Sequence, residues 1–180
     1  MPSRVIIHEV SCKKINYNAF LITILFILNI NVGWTQQTLI GTTSEGGLDN
    51  AGVVFGVPTG SDGILFSHSF LVEGGTNPKG NLILGPDGKL YGVTPLGGKS
   101  NLGVLFEHDP ATKSCSAKVD FNNALGSSPA RNLLLGSNGK IYGVAQYGGN
   151  LSGGTIFEYD PISDSVTQKY DFSGAGTGVY

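Results

Sequence analysis

The segments KLYGVTPLGG (residues 89–98) and KIYGVAQYGG (residues 140–149) are two copies of one motif placed 51 residues apart. A third copy, TLIGTTSEGG (residues 38–47), lies a further 51 residues upstream. The register runs on without a gap, and 16 of the 41 positions that align residues 89–129 with residues 140–180 are identical. Self-similarity at a fixed period of this length is typical of folds built by stacking one supersecondary unit. The sequence therefore predicts an array of 51-residue units.

Each unit is predicted to hold four short strands, because its apolar stretches are bounded by Gly, Pro, Asn or Asp. The predicted strands of the middle unit are residues 80–84, 89–94, 103–108 and 115–121. A Gly-Pro-Asp-Gly turn at residues 85–88 joins the first two strands, and an Asp-Pro turn at residues 109–110 joins the last two. Such short connections make neighbouring strands antiparallel.

Apolar residues on both faces of the strands distinguish between the candidate folds. On the third strand, Val104 and Phe106 point to one face and Leu105 to the other. A half-solvated sandwich sheet alternates apolar with polar residues, whereas a propeller blade is covered on both sides by its neighbours. We therefore predict an all-β protein of β-propeller-like blades in an incomplete ring, with a stacked, parallel-stranded β solenoid as the alternative. The predicted blades are residues 37–79 (incomplete), 80–130 and 131–180.

Residues 1–36 have the order of a secretory signal peptide. Arg4, Lys13 and Lys14 precede the apolar run AFLITILFILNI (residues 19–30), and small and polar residues follow it. The run is shorter than the roughly 20 apolar residues that a membrane-spanning helix needs. We expect cleavage near residues 35–37, only transient contact with a membrane, and a secreted or cell-surface protein. A retained N-terminal anchor is the alternative.

Cleavage at that position would leave a mature chain that starts at the second strand of its first unit. Two complete units are fewer than the roughly four blades of a closed propeller. We therefore expect the natural protein to be longer at its C-terminus, and a ring closed by oligomerisation is the alternative. The mature chain would keep Cys115 alone, so no disulfide within the chain is expected.

The composition limits the partners. Gly accounts for 28 of the 180 residues, charged residues for 13%, and the net charge is −2. Gly at this density predicts many turns, and a chain with so little charge lacks the positive field that holds nucleic-acid phosphates. Nucleic acid is therefore excluded as an expected partner.

Acidic residues recur at the repeat period. Glu107 matches Glu158, and Asp120 matches Asp171. Paired acids serve glycosidases and calcium sites, but recurrence at the repeat period indicates a structural role within the unit. Calcium at Asp87-Gly88 remains an alternative to having no cofactor, although the alternating acidic ligands of a calcium loop are missing there.

His68 and His108 do not recur between units and have no visible catalytic partner in the sequence. Cys115 takes the place of Ile64 and Val166, so it is interpreted as a small apolar core residue. We predict no catalytic residues, no cofactor-binding residues and no metal ligands. The Gly-Gly loops are interpreted as sharp turns at positive φ rather than phosphate-binding loops, since no helix follows them.

The loops between the second and third strands, and the segments between units, vary in sequence while the strands do not. We expect them to share one end of the array and to form a recognition face, because rigid scaffolds carry their binding residues on loops. The candidate residues are Ser44, Glu45, Asn77, Lys99, Ser100, Asn101, Asn123, Gln146, Tyr147 and Asn150.

The pattern G-x-L-Y-G-x-T-x-x-G-G followed by G-x-x-F, present here as GKLYGVTPLGG then GVLF and as GKIYGVAQYGG then GTIF, resembles the GloVer tandem repeats of bacterial surface and secreted proteins. The first unit departs from it, with Ile40 in place of Tyr91 and Tyr142. The resemblance implies an exported protein without assigned catalytic residues, often one that ends in a sorting or anchoring signal, which this sequence does not show.

Two functions are consistent with these observations. The first is an exported, non-catalytic module that has a structural role or binds an as yet unknown protein or glycan. The alternative is a fragment of a propeller-type polysaccharide hydrolase or lyase, whose site would lie at the central channel. That alternative needs non-repeating acids, histidines or metal ligands that converge, and the sequence offers no such set.

Overall fold

A computed structural model describes residues 9–10, 24–28, 38–60 and 62–173 of the chain. In these residues the regular structure is fourteen β-strands and one 3-10 turn, Val72–Gly74. The strands form three sheets in which every pairing is antiparallel. The predicted all-β fold is confirmed, and the parallel-stranded solenoid is wrong for this part of the chain. No helix among the described residues is long and apolar enough to cross a membrane.

The first sheet has five strands that lie side by side in chain order. They are β1 (Glu9–Val10), β2 (Ile24–Leu28), β3 (Thr38–Thr43), β4 (Val53–Pro58) and β5 (Phe66–Ser69). The first unit is predicted to lack its initial strand, but the structure places β2 there, paired with β3 from Leu28 opposite Thr38 to Ile24 opposite Thr42. The apolar run of the predicted signal peptide is rich in Ile, Leu and Phe, which suit a strand at an otherwise open edge. The rest of residues 1–36, apart from β1, lies outside the described residues, as do residues 174–180.

The second sheet confirms the four strands predicted for the middle unit. They are β6 (Ile83–Leu84), β7 (Leu90–Thr94), β8 (Val104–Asp109) and β9 (Ser114–Asp120). β6 is shorter than predicted because residues 80 and 81 lie against the third unit instead. The Asn81 N–H donates to the carbonyl oxygen of Arg131 at 3.1 Å, and a side chain at Gly80 would collide with the same oxygen.

The third sheet repeats this order with its first strand divided in two. Its strands are β10 (Ser127–Pro129), β11 (Leu134–Leu135), β12 (Ile141–Tyr147), β13 (Ser152–Asp160) and β14 (Ser165–Ser173). Both β10 and β11 pair with β12, followed by β13 and β14. The 51-residue repeat of the sequence is therefore a repeat of sheets.

The turns form as their residues predict. The Gly85 N–H donates to Lys89 O at 2.8 Å, and Gly88 closes the turn at φ +81°. At the same end of the sheet, Asp109 Oδ1 accepts from the Ala111 N–H at 2.8 Å, which holds the Asp-Pro turn. Asp160 does the same with the Ile162 N–H at 2.9 Å. These hydrogen bonds satisfy backbone donors that the strands leave free.

The Gly of each Tyr-Gly pair is explained by an aromatic ring that lies over it. Gly92 on β7 is directly opposite Phe106 on β8. A Cβ atom at Gly92 would lie 2.5 Å from Phe106 Cζ and 2.9 Å from Leu82 Cδ2. Gly143 and Phe157 stand in the same relation in the third sheet. The Gly and the Phe of the repeat motif therefore encode a single contact.

The middle sheet is buried on both faces. Its β8 residues Val104 and Phe106 face the first sheet, and Leu105 faces the third, as the sequence of β8 predicts. The first junction contains Ile40, Ala51, Val54, Phe70, Leu82, Leu90, Val104 and Phe106. The second contains Ile83, Tyr91, Val93, Leu105, Val119, Phe121, Leu125, Leu133, Ile141, Ala145, Phe157 and Tyr159. Burial of this apolar surface is the main favourable term that holds the sheets together.

The same aromatic pair recurs at the two junctions. The rings of Phe70 and Phe106 meet edge to face with centroids 4.8 Å apart, and those of Phe121 and Phe157 meet in the same way at 5.0 Å. Both members shift by 51 residues from one junction to the next. Successive sheets therefore pack with one repeated geometry, and in it the rings take the edge-to-face arrangement that aromatic pairs favour.

Candidate functional site

The loops between the second and third strands of the units each rest on the segment that enters from the preceding sheet. The Gly98 N–H donates to Val72 O at 2.9 Å, and the Thr76 N–H donates to Leu96 O at 2.8 Å. In the third unit the Gly149 N–H donates to Asn123 O at 2.8 Å. Loops and inter-unit segments therefore lie together at one end of the stacked sheets.

Tandem glycines make these loops sharp. Gly47, Gly98 and Gly149 have φ of +77°, +76° and +81°, which confirms the predicted positive φ. Gly97, at φ +82°, also comes close to the inter-unit segment, because a Cβ atom there would lie 2.6 Å from Val72 O. Only glycine combines this backbone conformation with so close an approach.

Recurring polar side chains fix the loops from the strand side. Asp120 Oδ1 accepts from the Lys99 N–H at 2.9 Å, and Asp171 Oδ2 accepts from the Asn150 N–H at 2.7 Å. The backbone of Asn101 has φ +54°, and its side-chain Oδ1 accepts from the Gly97 N–H at 2.9 Å. The recurring aspartates therefore have the structural role in each unit that their period indicates, and Asn101 has one too.

The ten candidate recognition residues differ in their accessibility. Exposed members are Glu45, Lys99, Ser100, Asn101, Asn123, Gln146, Tyr147 and Asn150. Asn77 is half-buried at φ +64°. Ser44 is only 7% exposed, so its inclusion in an exposed face is wrong. Gln146 and Tyr147 belong to strand β12 rather than to a loop, because Tyr147 pairs with Ser127 of β10.

Three exposed leucines on the loops at the same end do not appear among the sequence candidates, whereas Tyr147 at the end of β12, which is 64% exposed, does. They are Leu48, Leu96 and Leu151. Their signal in the sequence is that each occupies a loop position where the other two units carry a different residue. Exposed apolar groups on a rigid polar surface are typical contact residues of binding sites.

The other recurring acid of the middle unit, Glu107, lies in a cluster of side chains. Glu107 Oε1 accepts from Lys89 Nζ at 2.9 Å, and the Tyr91 hydroxyl lies 3.1 Å from Oε2. The ammonium group of Lys118 lies 4.0 Å from the same Oε2. This carboxylate is neutralised within its own sheet and is not presented to a substrate.

The third unit repeats the cluster at positions 51 residues further on. Glu158 accepts from Lys140 Nζ at 3.0 Å and from the Tyr142 hydroxyl at 2.6 Å, and Lys169 Nζ lies 3.5 Å away. The hydrogen bond from Tyr142, followed by that from Lys140, lowers the pKa of Glu158 to about 2. These two acids lie in separate sheets, each with lysine and tyrosine partners of its own, so the geometry does not bring them together as a glycosidase pair.

A β-bulge positions the second lysine of each cluster. The register shifts by one residue between Leu105 and Phe106, which leaves Lys118 as the extra residue on β9. The equivalent shift in the third sheet leaves Lys169 as the extra residue on β14. The first sheet has a regular register and Ser67 at this position. Bulges redirect side chains in this way, and the repeat of this one ties it to the Glu–Lys cluster.

His108 contacts a side chain that the sequence did not indicate. Its Nδ1 lies 3.4 Å from Cys115 Sγ, and its ring stacks on Phe66 with centroids 4.9 Å apart. Within the described residues, His108 Nε2 is buried without a hydrogen-bond partner. Cys115 packs against the first junction, which agrees with its interpretation as a core residue.

The protonation states of this pair are those of a core contact. Burial raises the pKa of the Cys115 thiol to about 12. Burial, with a smaller effect from nearby His68, lowers the pKa of His108 to about 4. At neutral pH both groups are uncharged, whereas a nucleophilic cysteine requires a thiolate. A cleft of about 350 Å³ opens beside the pair, and His68, Phe70, Glu73, Phe106 and Cys115 contribute to its lining.

The buried histidine makes stability depend on pH. Because the folded-state pKa of His108 is about 4 and the ordinary value is 6.5, the unfolded chain binds a proton that the folded chain excludes. The stability of the wild type therefore falls as pH decreases from 6.5 towards 4. His108→Phe removes that contribution. In urea unfolding at several pH values, the free energy of unfolding of His108→Phe should therefore increase relative to that of the wild type as the pH falls from 6.5 towards 4. Parallel pH profiles of the two proteins would contradict the burial of a neutral imidazole.

The described residues contain no group of three or more His, Cys, Asp or Glu side chains arranged to hold a metal ion. Asp87, the calcium alternative, uses its carboxylate locally: Oδ1 accepts from the Lys89 N–H at 3.3 Å, and Oδ2 lies 2.7 Å from the Tyr91 hydroxyl. The side chain therefore completes the turn between β6 and β7.

The fold and loops define an all-β repeat protein. A family model described as the Gloeobacter/Verrucomicrobia repeat matches residues 29–180. The chain belongs to this family, and its resemblance to the GloVer repeats is confirmed. The matched region starts directly after β2, so β1 and β2 are the strands of the first sheet that precede it. Comparison with curated proteins and with solved structures gives no significant match.

Proposed function

We propose that this chain is an exported, non-catalytic β-propeller-like module that binds a protein or a glycan through the loop end of its sheets. One observation carries the proposal: Leu48, Leu96 and Leu151 on the loops, and Tyr147 at the end of β12, are exposed at the same end as polar side chains, and recurring backbone contacts fix the loops. A surface that varies from unit to unit on an invariant frame is what recognition needs.

Three features support a propeller arrangement of the sheets. Each unit lies in an antiparallel sheet of its own, the middle sheet is covered on both faces, and successive sheets use the same aromatic contact. Radial repetition of such sheets is the propeller architecture. The wedge packing of neighbouring blades would also explain why the loops of all units emerge at one end.

Export is supported by the order of basic, apolar and polar residues in the first 36 positions. Expression of the gene with its own N-terminus in a bacterial host, followed by intact-mass measurement of the exported protein, tests this. We expect loss of about the first 36 residues, the length of the proposed signal peptide. Export of the intact 18.8 kDa chain would instead show that β2 remains part of the folded protein.

Binding is tested with the full chain on a glycan array and on a panel of bacterial surface proteins. Replacement of both Leu96 and Tyr147 by Ala should abolish any binding seen, because these side chains supply exposed apolar area at the loop end. The matched control is Ile162→Ala, which removes an even more exposed apolar side chain from the β13–β14 turn at the opposite end.

The control distinguishes the possible outcomes. Binding that survives Ile162→Ala and is lost in the double variant supports a recognition face at the loop end. Equal loss in both variants, or no loss in the double variant, would contradict it. Cleavage of an arrayed polysaccharide would favour the hydrolase or lyase alternative.

A further inference from the structure

The outer face of the third sheet is apolar and uncovered. Val144 on β12 is 43% exposed, and Tyr170 and Phe172 on β14 are 54% and 40% exposed. Leu134 on β11 extends the patch, and the rings of Tyr170 and Phe172 contact each other with centroids 4.7 Å apart. This surface, formed by Leu134, Val144, Tyr170 and Phe172, is called the open face of the third sheet.

The repeat identifies what such a face normally does. The residues 51 positions earlier are Ile83, Val93, Val119 and Phe121, all of them buried against the third sheet. In the first unit the corresponding Phe70 is buried against the second sheet. The open face is therefore a third copy of a surface that both earlier units use to bind the next sheet.

The first sheet carries the matching surface, which the described residues cover only in part. Leu39, Val53, Phe55 and Val57 are half-buried. Their equivalents in the second and third units are buried at the two junctions, among them Phe106 and Phe157, which are at most 1% exposed. Within the part of the chain that the structure describes, each of the two surfaces that form the internal junctions therefore has one copy with no partner sheet.

Charges at the two surfaces are complementary. Across the second junction, Lys118 Nζ lies 2.8 Å from Asp164 Oδ2. The equivalent of Lys118 on the open face is Lys169, and the equivalent of Asp164 in the first unit is Asp62. The first junction has no such pair, since Ser67 and Lys113 take these positions. Lys169 and Asp62 thus reproduce, at opposite ends of the stack, the ion pair that bridges the second junction.

We propose that the open face of the third sheet binds the outer surface of the first sheet in a second copy of this chain, head to tail, with Lys169 opposite Asp62. The contact is heterologous, because each copy uses a different surface. Two chains in a closed ring would supply six sheets, within the range of four to eight that propellers use.

Sedimentation velocity of the full chain over a range of concentrations tests the proposal. We expect reversible self-association, and Val144→Glu should abolish it, because the substitution places a charge inside the apolar contact. A thermal melt of the variant at low concentration checks that it is folded. We expect a folded variant because Val144 is 43% exposed in the single chain. A wild type that stays monomeric throughout would overturn the proposal.

Charge reversal then tests the pairing itself. Lys169→Glu and Asp62→Lys should each weaken association by about tenfold, and the double variant should restore it, since an ion pair of this kind contributes on the order of 1 kcal/mol. Lys99→Glu, a reversal at the loop end, is the control and should leave association unchanged. Association that depends on Val144 but not on Asp62 would show that two open faces bind each other, which would overturn the head-to-tail arrangement.

Discussion

Phe121→Ala should lower the free energy of unfolding by about 3–5 kcal/mol, the usual cost of truncating a buried Phe. Phe121 is 1% exposed, and its ring meets that of Phe157 edge to face at the second junction. Its removal opens a cavity between two sheets whose backbones are held apart by their other contacts. Urea unfolding followed by far-ultraviolet circular dichroism measures the change in the free energy of unfolding.

The repeat provides a matched control for this substitution. Phe172 occupies the same position in the third unit but is 40% exposed. Phe172→Ala, measured at a concentration too low for self-association, should cost about 1 kcal/mol or less, as is usual for exposed positions. If the two variants lose equal stability, then Phe121 does not lie between packed sheets.

Gly97→Val should destabilise the protein by roughly 2–4 kcal/mol, the sum of a left-handed backbone cost and a steric clash. Gly97 has φ +82°, and a Cβ atom would lie 2.6 Å from both Val72 O and the Gly75 Cα. Both neighbours belong to the backbone of the inter-unit segment, which cannot move aside as a flexible side chain can. The same unfolding measurement applies.

Gly88→Val separates the two contributions. Gly88 has almost the same φ, +81°, but a Cβ atom there would meet nothing within 4 Å. Gly88→Val should lower the free energy of unfolding by only about 1–2 kcal/mol, the cost of the backbone conformation. Equal losses at Gly88 and Gly97 would mean that the loop does not pack on the inter-unit segment, and the fixed loop end would then lack its main support.

The repeat made most of the fold predictable. Once the 51-residue period is recognised, the turns at Gly85–Gly88 and Asp109–Pro110 define the strand ends, and the apolar residues on both sides of β8 require a neighbour on each face. The positive φ of the tandem glycines follows from the same reasoning. These features depend on residues close together in the chain, or on a pattern that the sequence repeats.

Features that depend on three-dimensional contacts were not predictable. The His108–Cys115 contact joins two strands across a hairpin, and neither residue recurs in another unit, so no pattern marks it. The burial of Ser44 depends on how its loop folds back. The pairing of β2 with β3 was hidden because an apolar run suits both a signal peptide and a strand.

The sequence indicated that the variable loops share one end of the array, but it did not indicate which side chains are exposed there. The location of the candidate site follows from where the sequence varies between units. The polar candidates include Asn101, which the structure uses to hold the loop, whereas the exposed Leu48 and Leu96 were missed. A leucine in a single sequence looks the same whether it is buried or exposed, and only packing distinguishes the two.

The shared loop end and the head-to-tail contact both depend on the face-to-face stacking of successive sheets. NOE spectroscopy of the full chain with labelled phenylalanine tests this stacking directly. Rings at 4.8 and 5.0 Å should give cross-peaks between Phe70 and Phe106 and between Phe121 and Phe157, with assignments from single Phe→Leu variants. Cross-peaks for both pairs are the predicted result. Folded protein without either cross-peak would contradict the stacking, and with it the shared loop end and the head-to-tail contact.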